Sequence, residues 1–251
     1  MANEISPTAC VIIIGNEILS GRTQDINLNY IATKLGAVGI PVREARVIPD
    51  IPETIIATVN DCRARFTYVF TTGGIGPTHD DITAECISAA FGLPHEVHPE
   101  ALSILEDHYK ATPGAVNPAR KRMATMPRGA CLIANPVSRV PSFAIGNVYV
   151  LAGVPAIMQA MLDGIIPTLP GGPPVVSQSV RCFLREGDIA APLEAIQKRY
   201  PALDIGSYPF VEEGRVGTVL VAKGTDAVAV AEAADAITAM VTAQGDVSQR
   251  L

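Results

Sequence analysis

Short apolar runs closed by glycine set the pattern of the first two thirds of the chain. Cys10-Val11-Ile12-Ile13-Ile14 is unbroken, mostly β-branched and ends at Gly15, as a strand buried on both faces should. Residues 67–72 repeat the pattern, and a further strand is predicted over 42–48. Between these runs the spacing becomes helical. Leu28, Ile31, Ala32 and Leu35 share one face, with Asp25 and Asn27 as caps and Gly36 or Gly39 as the stop. Ile55, Ile56, Val59 and Cys62 share another, with Pro52 in the first turn and Asp50 as a cap. Strand, helix, strand, helix, strand predicts right-handed crossovers and a mostly parallel sheet covered by helices on both faces. Helices over 81–91 and 99–110, a Pro-rich basic stretch over 111–128, strands near 130–133 and 147–151, and a helix carrying Ile157, Met158 and Met161 complete this part.

Leu169-Pro170-Gly171-Gly172-Pro173-Pro174 is the densest Pro/Gly cluster, and the pattern changes after it. The expected division is a three-layer α/β/α domain over 1–170 and a smaller α+β domain over 171–251. The second part reads strand, helix, strand, turn at Glu213-Gly214, strand and a long alanine-rich helix, so the middle strands form an antiparallel hairpin. This order resembles RNA-binding KH-like modules, yet the segment has neither a G-x-x-G loop between helices nor a basic stripe.

The chain has 251 residues, 48% of them hydrophobic and 18% charged, a globular composition that excludes a disordered or collagen-like protein. Its net charge of −6 argues against nucleic acid or an anionic membrane as the main partner. Any anion must therefore be held locally. No apolar run reaches the length of a spanning helix and the first residues lack a signal-peptide pattern, so a cytoplasmic protein is expected. Five scattered cysteines without a C-x-x-C pair read as buried apolar residues, and the four histidines form no metal-binding motif.

The strongest chemical signal is Thr71-Thr72-Gly73-Gly74-Ile75-Gly76-Pro77-Thr78-His79-Asp80-Asp81-Ile82-Thr83, between a buried strand and a helix. Its glycines allow left-handed backbone and close approach to main-chain amides, an anion-binding arrangement at the carboxyl end of a strand. It is neither a Walker loop nor G-x-G-x-x-G. A tight turn with Thr78 and Asp81 as a capping box is the alternative reading. Asp80 and Asp81 beside a phosphate require a cation or a capping role, so a magnesium-like ion is expected on one of them, with Asp80 favoured. Glu17 follows the first strand at the same sheet edge, where it is either a neighbour of the glycine loop or a solvated acid. Arg120, Lys121 and Arg122 either reach a phosphate or form a solvated face. Arg139, in the apolar loop Asn135 to Phe143, is harder to explain as surface charge.

Taken together, Ile14-Gly15-Asn16-Glu17-Ile18-Leu19-Ser20-Gly21, Asp25-Ile26-Asn27 and Thr71 to Thr83 resemble the competence/damage-inducible CinA-like family, built on the molybdopterin-binding domain of molybdenum-cofactor biosynthesis proteins. The C-terminal amidase domain that CinA-like proteins often carry is not among these residues. The resemblance implies a pocket for a phosphorylated, planar-ringed small molecule, pterin or nucleotide. It implies ligand contacts from Thr72, Gly73, Gly74, Ile75, Gly76, Pro77, Thr78, Asn27, Asn135, Ser138 and Arg139. Asp80, Asp81 and Glu17 would be catalytic, and the two aspartates would hold a divalent metal such as magnesium, manganese or cobalt. Some CinA-like proteins are metal-dependent pyrophosphatases of ADP-ribose, whereas relatives that handle molybdopterin adenylylate it or insert metal; a non-catalytic molybdopterin-binding protein is the alternative. Relatives also imply a homo-oligomer. Two stretches depart from the family pattern. Asn-x-x-Gly-Thr-Ala-Pro-Gly-Phe is replaced by Asn135-Pro136-Val137-Ser138-Arg139-Val140-Pro141-Ser142-Phe143, and Pro-Gly-Val-Pro-x-Glu-Met by Ala152-Gly153-Val154-Pro155-Ala156-Ile157-Met158, which lacks the acid.

Overall fold

A computed structural model describes residues 7–111 and 116–251. The chain divides into two compact units, Met1–Gly172 and Pro173–Leu251. The first contains β1 (Ala9–Ile14), α1 (Asn16–Leu19), α2 (Asn27–Ala37), β2 (Val42–Ile48), α3 (Pro52–Arg65), β3 (Tyr68–Thr72), α4 (Thr83–Phe91) and β4 (His95–Val97). It continues with α5 (Pro99–Tyr109), α6 (Pro118–Arg122), β5 (Thr125–Pro127), β6 (Cys131–Ile133), β7 (Ser142–Ile145), β8 (Val148–Leu151) and α7 (Pro155–Ile165). Six strands form one sheet in the order β2-β1-β3-β8-β7-β6. The β2-β1-β3-β8 part is parallel, and β7 and β6 add antiparallel.

Alternation along β1 builds the three layers. Cys10, Ile12 and Ile14 join the core beneath α3, α4 and α5, while Ala9, Val11 and Ile13 join the core beneath α2 and α7. Both faces of the strand are dry, which is why the run has no polar residue. The strand at Ser142–Ile145 is absent from the sequence-based expectation, because Pro141 and Ser142 read as loop. Its backbone pairs with β8 regardless, and the Ser142 hydroxyl is satisfied by donating to the Val150 carbonyl at 2.6 Å. A separate β4-β5 pair is likewise new.

The caps differ from expectation in three places. Asp25 does cap α2, accepting from Leu28 N at 2.9 Å, but Asn27 does not; it lies inside the helix and donates through Nδ2 to the Gly153 carbonyl at 2.8 Å. Asp50 accepts from Asn16 N at 2.8 Å rather than capping α3, and so ties α1 to the loop after β2. Thr78 and Asp81 close a turn ahead of α4, which starts only at Thr83.

The second unit contains β9 (Val176–Cys182), α8 (Glu186–Arg199), β10 (Asp204–Glu212), β11 (Arg215–Gly224), α9 (Ala227–Ala243) and β12 (Gln249–Arg250). Its sheet, β10-β11-β9-β12, is antiparallel throughout. Val180, Cys182, Leu220 and Ala222 pack on Ile189 and Ile196 of α8 and on Val230, Ile237 and Val241 of α9. Among the described residues, no helix is long and apolar enough to cross a membrane.

Four cysteines are buried and Cys131 is exposed. Cys62 Sγ lies 3.5 Å from Cys10 Sγ, close to the carboxylates of Glu44 and Asp61. Those acids are already engaged. Arg46 pairs with both, and Arg65 reaches Glu44 at 2.7 Å and Asp61 at 2.9 Å, which joins β2 to α3. The arginines hold both carboxyls below their usual range. Because a lowered folded value favours the native state only above the unfolded value, this contribution is complete above about pH 5 and is lost on acidification through the lowered values. In low salt, the melting temperature of the parent should fall more steeply between about pH 5 and pH 3 than that of Arg46→Leu. Parallel curves would show that the network contributes nothing to folding.

Candidate functional site

The carboxyl ends of β1, β3 and β8 meet at one edge of the sheet. Gly73 follows β3 with φ +98°, and a Cβ there would lie 2.2 Å from the Ile14 carbonyl oxygen. One on Gly153, beyond β8, would lie 3.3 Å from Gly73 Cα. The three strand ends are thus drawn together by backbone contact that side chains would block. Gly74, with φ +65°, turns the chain toward α4; Thr83 fixes that turn by donating from Oγ1 to the Gly73 carbonyl and from N to the Gly74 carbonyl, both at 3.0 Å. Gly73 N is spent on the Leu151 carbonyl. Among the described residues, no protein acceptor meets the amides of Gly74, Ile75 and Gly76. Three successive free donors in a glycine-bent loop form a local anion seat in an acidic protein.

The loop borders a cleft of about 650 Å³. Glu17, Asp81, His108, Arg120, Asn135 and Ser138 supply its polar lining, and Tyr109, Val140, Ile157 and Met161 are among its apolar walls. Arg120 stacks over the Tyr109 ring at 4.3 Å. Asn135 shapes the opposite loop: its Oδ1 accepts from Val137 N at 3.1 Å and Ser138 N at 3.0 Å, while Nδ2 donates to the Val140 carbonyl and Ser138 Oγ. A second, smaller cavity of about 290 Å³ lies against the same glycines, with Glu85, His95 and Arg122 in its lining. Asp81, Met123 and Pro141 border both spaces.

The two adjacent aspartates have different surroundings. Asp81 Oδ2 accepts from Thr78 N at 2.8 Å and lies 2.6 Å from the Thr78 hydroxyl, which holds its carboxylate against Gly76. Asp80 accepts from the same hydroxyl but is 68% exposed and lines neither cavity. The Thr78 hydroxyl keeps the Asp80 carboxyl below its usual range. Neither aspartate caps α4, whose N-cap position is Ile82.

Of the residues singled out from sequence, Glu17, Gly73, Gly74, Ile75, Gly76, Pro77, Asp81, Arg120, Asn135 and Ser138 line the larger cleft, Arg122 lines the smaller, and Lys121 lines neither. Thr72 is buried in β3 beneath it, and Asn27 is buried under Gly153. Thr78 and Arg139 line neither space; Arg139 takes φ +62° in its loop and donates through N to the Asn135 carbonyl. Sequence reasoning missed Tyr109, Met123 and Met161 as walls, and Glu85 and His95 as lining. These come from elements far apart in the chain, and an apolar helix face gives no sign of which residue borders a cavity.

Among the described residues, the one close grouping of three metal-binding side chains is Glu44, Asp61 and Cys62, away from the cleft. The cleft offers carboxylates from Asp81 and Glu17, which suits an ion of the magnesium type that takes one or two protein carboxylates and completes its shell with phosphate oxygens and water.

Comparison with known proteins agrees with this architecture. Residues 10–171 match the family of the probable molybdopterin binding domain, and residues 174–249 match the middle domain of FAD synthase. A Pyrobaculum arsenaticum protein is 36% identical over 210 residues, which cover 80% of this chain and 79% of that protein. A CinA-like protein from Geobacter sp. strain M21 is 33% identical over 89% of this chain and 56% of its own length; for the one from Citrifermentans bemidjiense the values are 37%, 64% and 40%. This chain therefore matches about half the length of those CinA-like relatives. The solved CinA of unknown function from Thermoplasma acidophilum superposes with a TM-score of 0.60 at 32% identity, covering 65% of this chain and 98% of that one. The chain belongs to the CinA-like family built on the probable molybdopterin binding domain.

The strand-end packing is testable. Gly73→Ala places a methyl group against the Ile14 carbonyl at a positive φ, and should destabilise the first unit by about 2 to 4 kcal/mol in denaturant unfolding. A loss within about 0.5 kcal/mol, the range of an ordinary surface change, would mean that the strand ends are not held by this contact.

Proposed function

We propose that this chain binds a phosphorylated, planar-ringed small molecule, nucleotide or pterin, and cleaves a pyrophosphate of the ADP-ribose kind with a divalent ion. The observation that carries the reading is the run of unpartnered amides at Gly74, Ile75 and Gly76, opening on a cleft with apolar walls. Those amides receive phosphate oxygens, and Tyr109, Val140 and Met161 flank the ring. Asp81 would hold a divalent cation, which would supply charge neutralisation and polarisation to the anhydride. Thr78 holds the Asp81 carboxylate in place for that task. Glu17 accepts the proton of the attacking water. Water adds to one phosphorus, the bridging oxygen leaves with the other, and the products are AMP and ribose 5-phosphate. Asp80, turned out to solvent, contributes little in this scheme, and Asp81 takes the role that sequence alone gives to Asp80.

The match to a probable molybdopterin binding domain supports a second reading: a pterin-binding protein without turnover.

Incubation with ADP-ribose and magnesium, manganese or cobalt should release AMP, measured by chromatography. Glu17→Gln should lower kcat about a hundredfold, and Asp81→Asn should raise the cation concentration required. Stabilisation by a pterin in a thermal-shift panel, with no AMP formed, would favour the non-catalytic reading. If nucleotides, pterins and phosphate all left the melting temperature unchanged, neither reading would stand.

A further inference from the structure

Away from the cleft, two buried thiols meet two carboxylates. Cys10 on β1 and Cys62 on α3 are both fully buried in one core, with their sulfur atoms 3.5 Å apart. Glu44 is the register partner of Cys10 on β2, and Asp61 precedes Cys62 on α3. One ligand atom from each of Glu44, Asp61 and Cys62 falls within 4.8 Å of the other two. Three elements thus bring two sulfur and two oxygen donors to one place.

The spacing suits a small tetrahedral ion. Donors held about 2.0 to 2.3 Å from such an ion lie roughly 3.3 to 3.8 Å from one another, and the two sulfurs already have that separation. To reach it the carboxylates move by at most about 1.5 Å, and both belong to partly exposed side chains. Their oxygens keep capacity for the ion. Arg46 and Arg65 between them engage both Glu44 oxygens and Asp61 Oδ2, whereas Asp61 Oδ1 has no hydrogen bond among the described residues. A carboxylate oxygen has about two lone pairs, so the arginines can stay as outer partners that orient the ligands.

Charge decides the class of ion. With both thiols protonated, the two arginines balance the two carboxylates. A divalent cation that displaces one proton from each thiol to solvent leaves that balance unchanged, so no net charge is buried. A cation that did not bond sulfur would instead add its full charge beside two guanidinium groups. The donor set therefore disfavours magnesium and calcium, which take oxygen ligands, and selects an ion that binds thiolate.

We propose that Cys10, Glu44, Asp61 and Cys62 form a site for a thiophilic divalent cation of the zinc type. The protein fills all four positions, as in a structural site, and the ion joins β1, the edge strand β2 and α3. It is distinct from the cation proposed for the cleft, whose ligands are oxygens.

Cobalt(II) is the probe, because its bond to thiolate gives a sulfur-to-metal charge-transfer absorption that a carboxylate site cannot give. Added to the full chain with its thiols reduced, cobalt should produce that absorption, saturating at one ion per chain, and zinc should bleach it. Asp81→Asn at the cleft and Cys131→Ser at the exposed thiol should leave it intact. Cys62→Ala should abolish it. Asp61→Asn changes a partly exposed side chain and keeps both thiols; it should weaken cobalt binding about tenfold or more, and carries the test if Cys62→Ala does not fold. Zinc should also raise the melting temperature of the parent more than that of Asp61→Asn. No charge-transfer absorption in the parent, one that survives in Cys62→Ala or disappears in Asp81→Asn or Cys131→Ser, or equal cobalt affinity in the parent and Asp61→Asn would overturn the site.

Discussion

The backbone contact between Gly73 and the Ile14 carbonyl is the constraint on which the rest of the site depends. Strands in a parallel sheet diverge as they twist, so their carboxyl ends normally leave a crevice filled by loops. Here the chain after β3 crosses directly over the end of β1, and Gly153 beyond β8 closes against it. This approach aligns the next three peptide units along the crevice. Thr83 then ties the loop to the start of α4, and among the described residues the amides of Gly74, Ile75 and Gly76 meet no protein acceptor. Their donors are fixed before any ligand arrives, and binding need not order them.

Charge follows from the same geometry. An acidic chain is a poor general binder of anions, and nothing in its overall balance attracts one. The backbone overcomes this locally. The acids border the seat: Asp81 is pinned by Thr78, Glu17 stands on α1 after β1, and Glu85 lies in the first turn of α4. In the proposed reading, such an arrangement accepts a phosphate in company with a cation.

Much of this was legible in the sequence, and the boundary is physical. The β1 and β3 runs are apolar on every position because both faces are covered, so their type and place could be read directly. The glycine loop was equally plain, since consecutive glycines between a strand and a helix have few structural uses. What local pattern does not encode is which polar atom meets which across long separations. Asn27 looks like a cap and instead donates to Gly153, 126 positions away. Asp80 and Asp81 are indistinguishable as a dipeptide, and only the turn at Thr78 sends one outward and the other into the cleft. The walls from Tyr109, Met123 and Met161 were invisible for the same reason.

The most direct measurement of the central claim is an NMR titration of the isotopically labelled chain with AMP, following backbone amides. The account predicts that the resonances of Gly74, Ile75 and Gly76 move together and saturate, with the Asn135 loop responding at the same ligand concentration. Resonances that stay fixed in the glycine loop while amides elsewhere in the protein shift would contradict it.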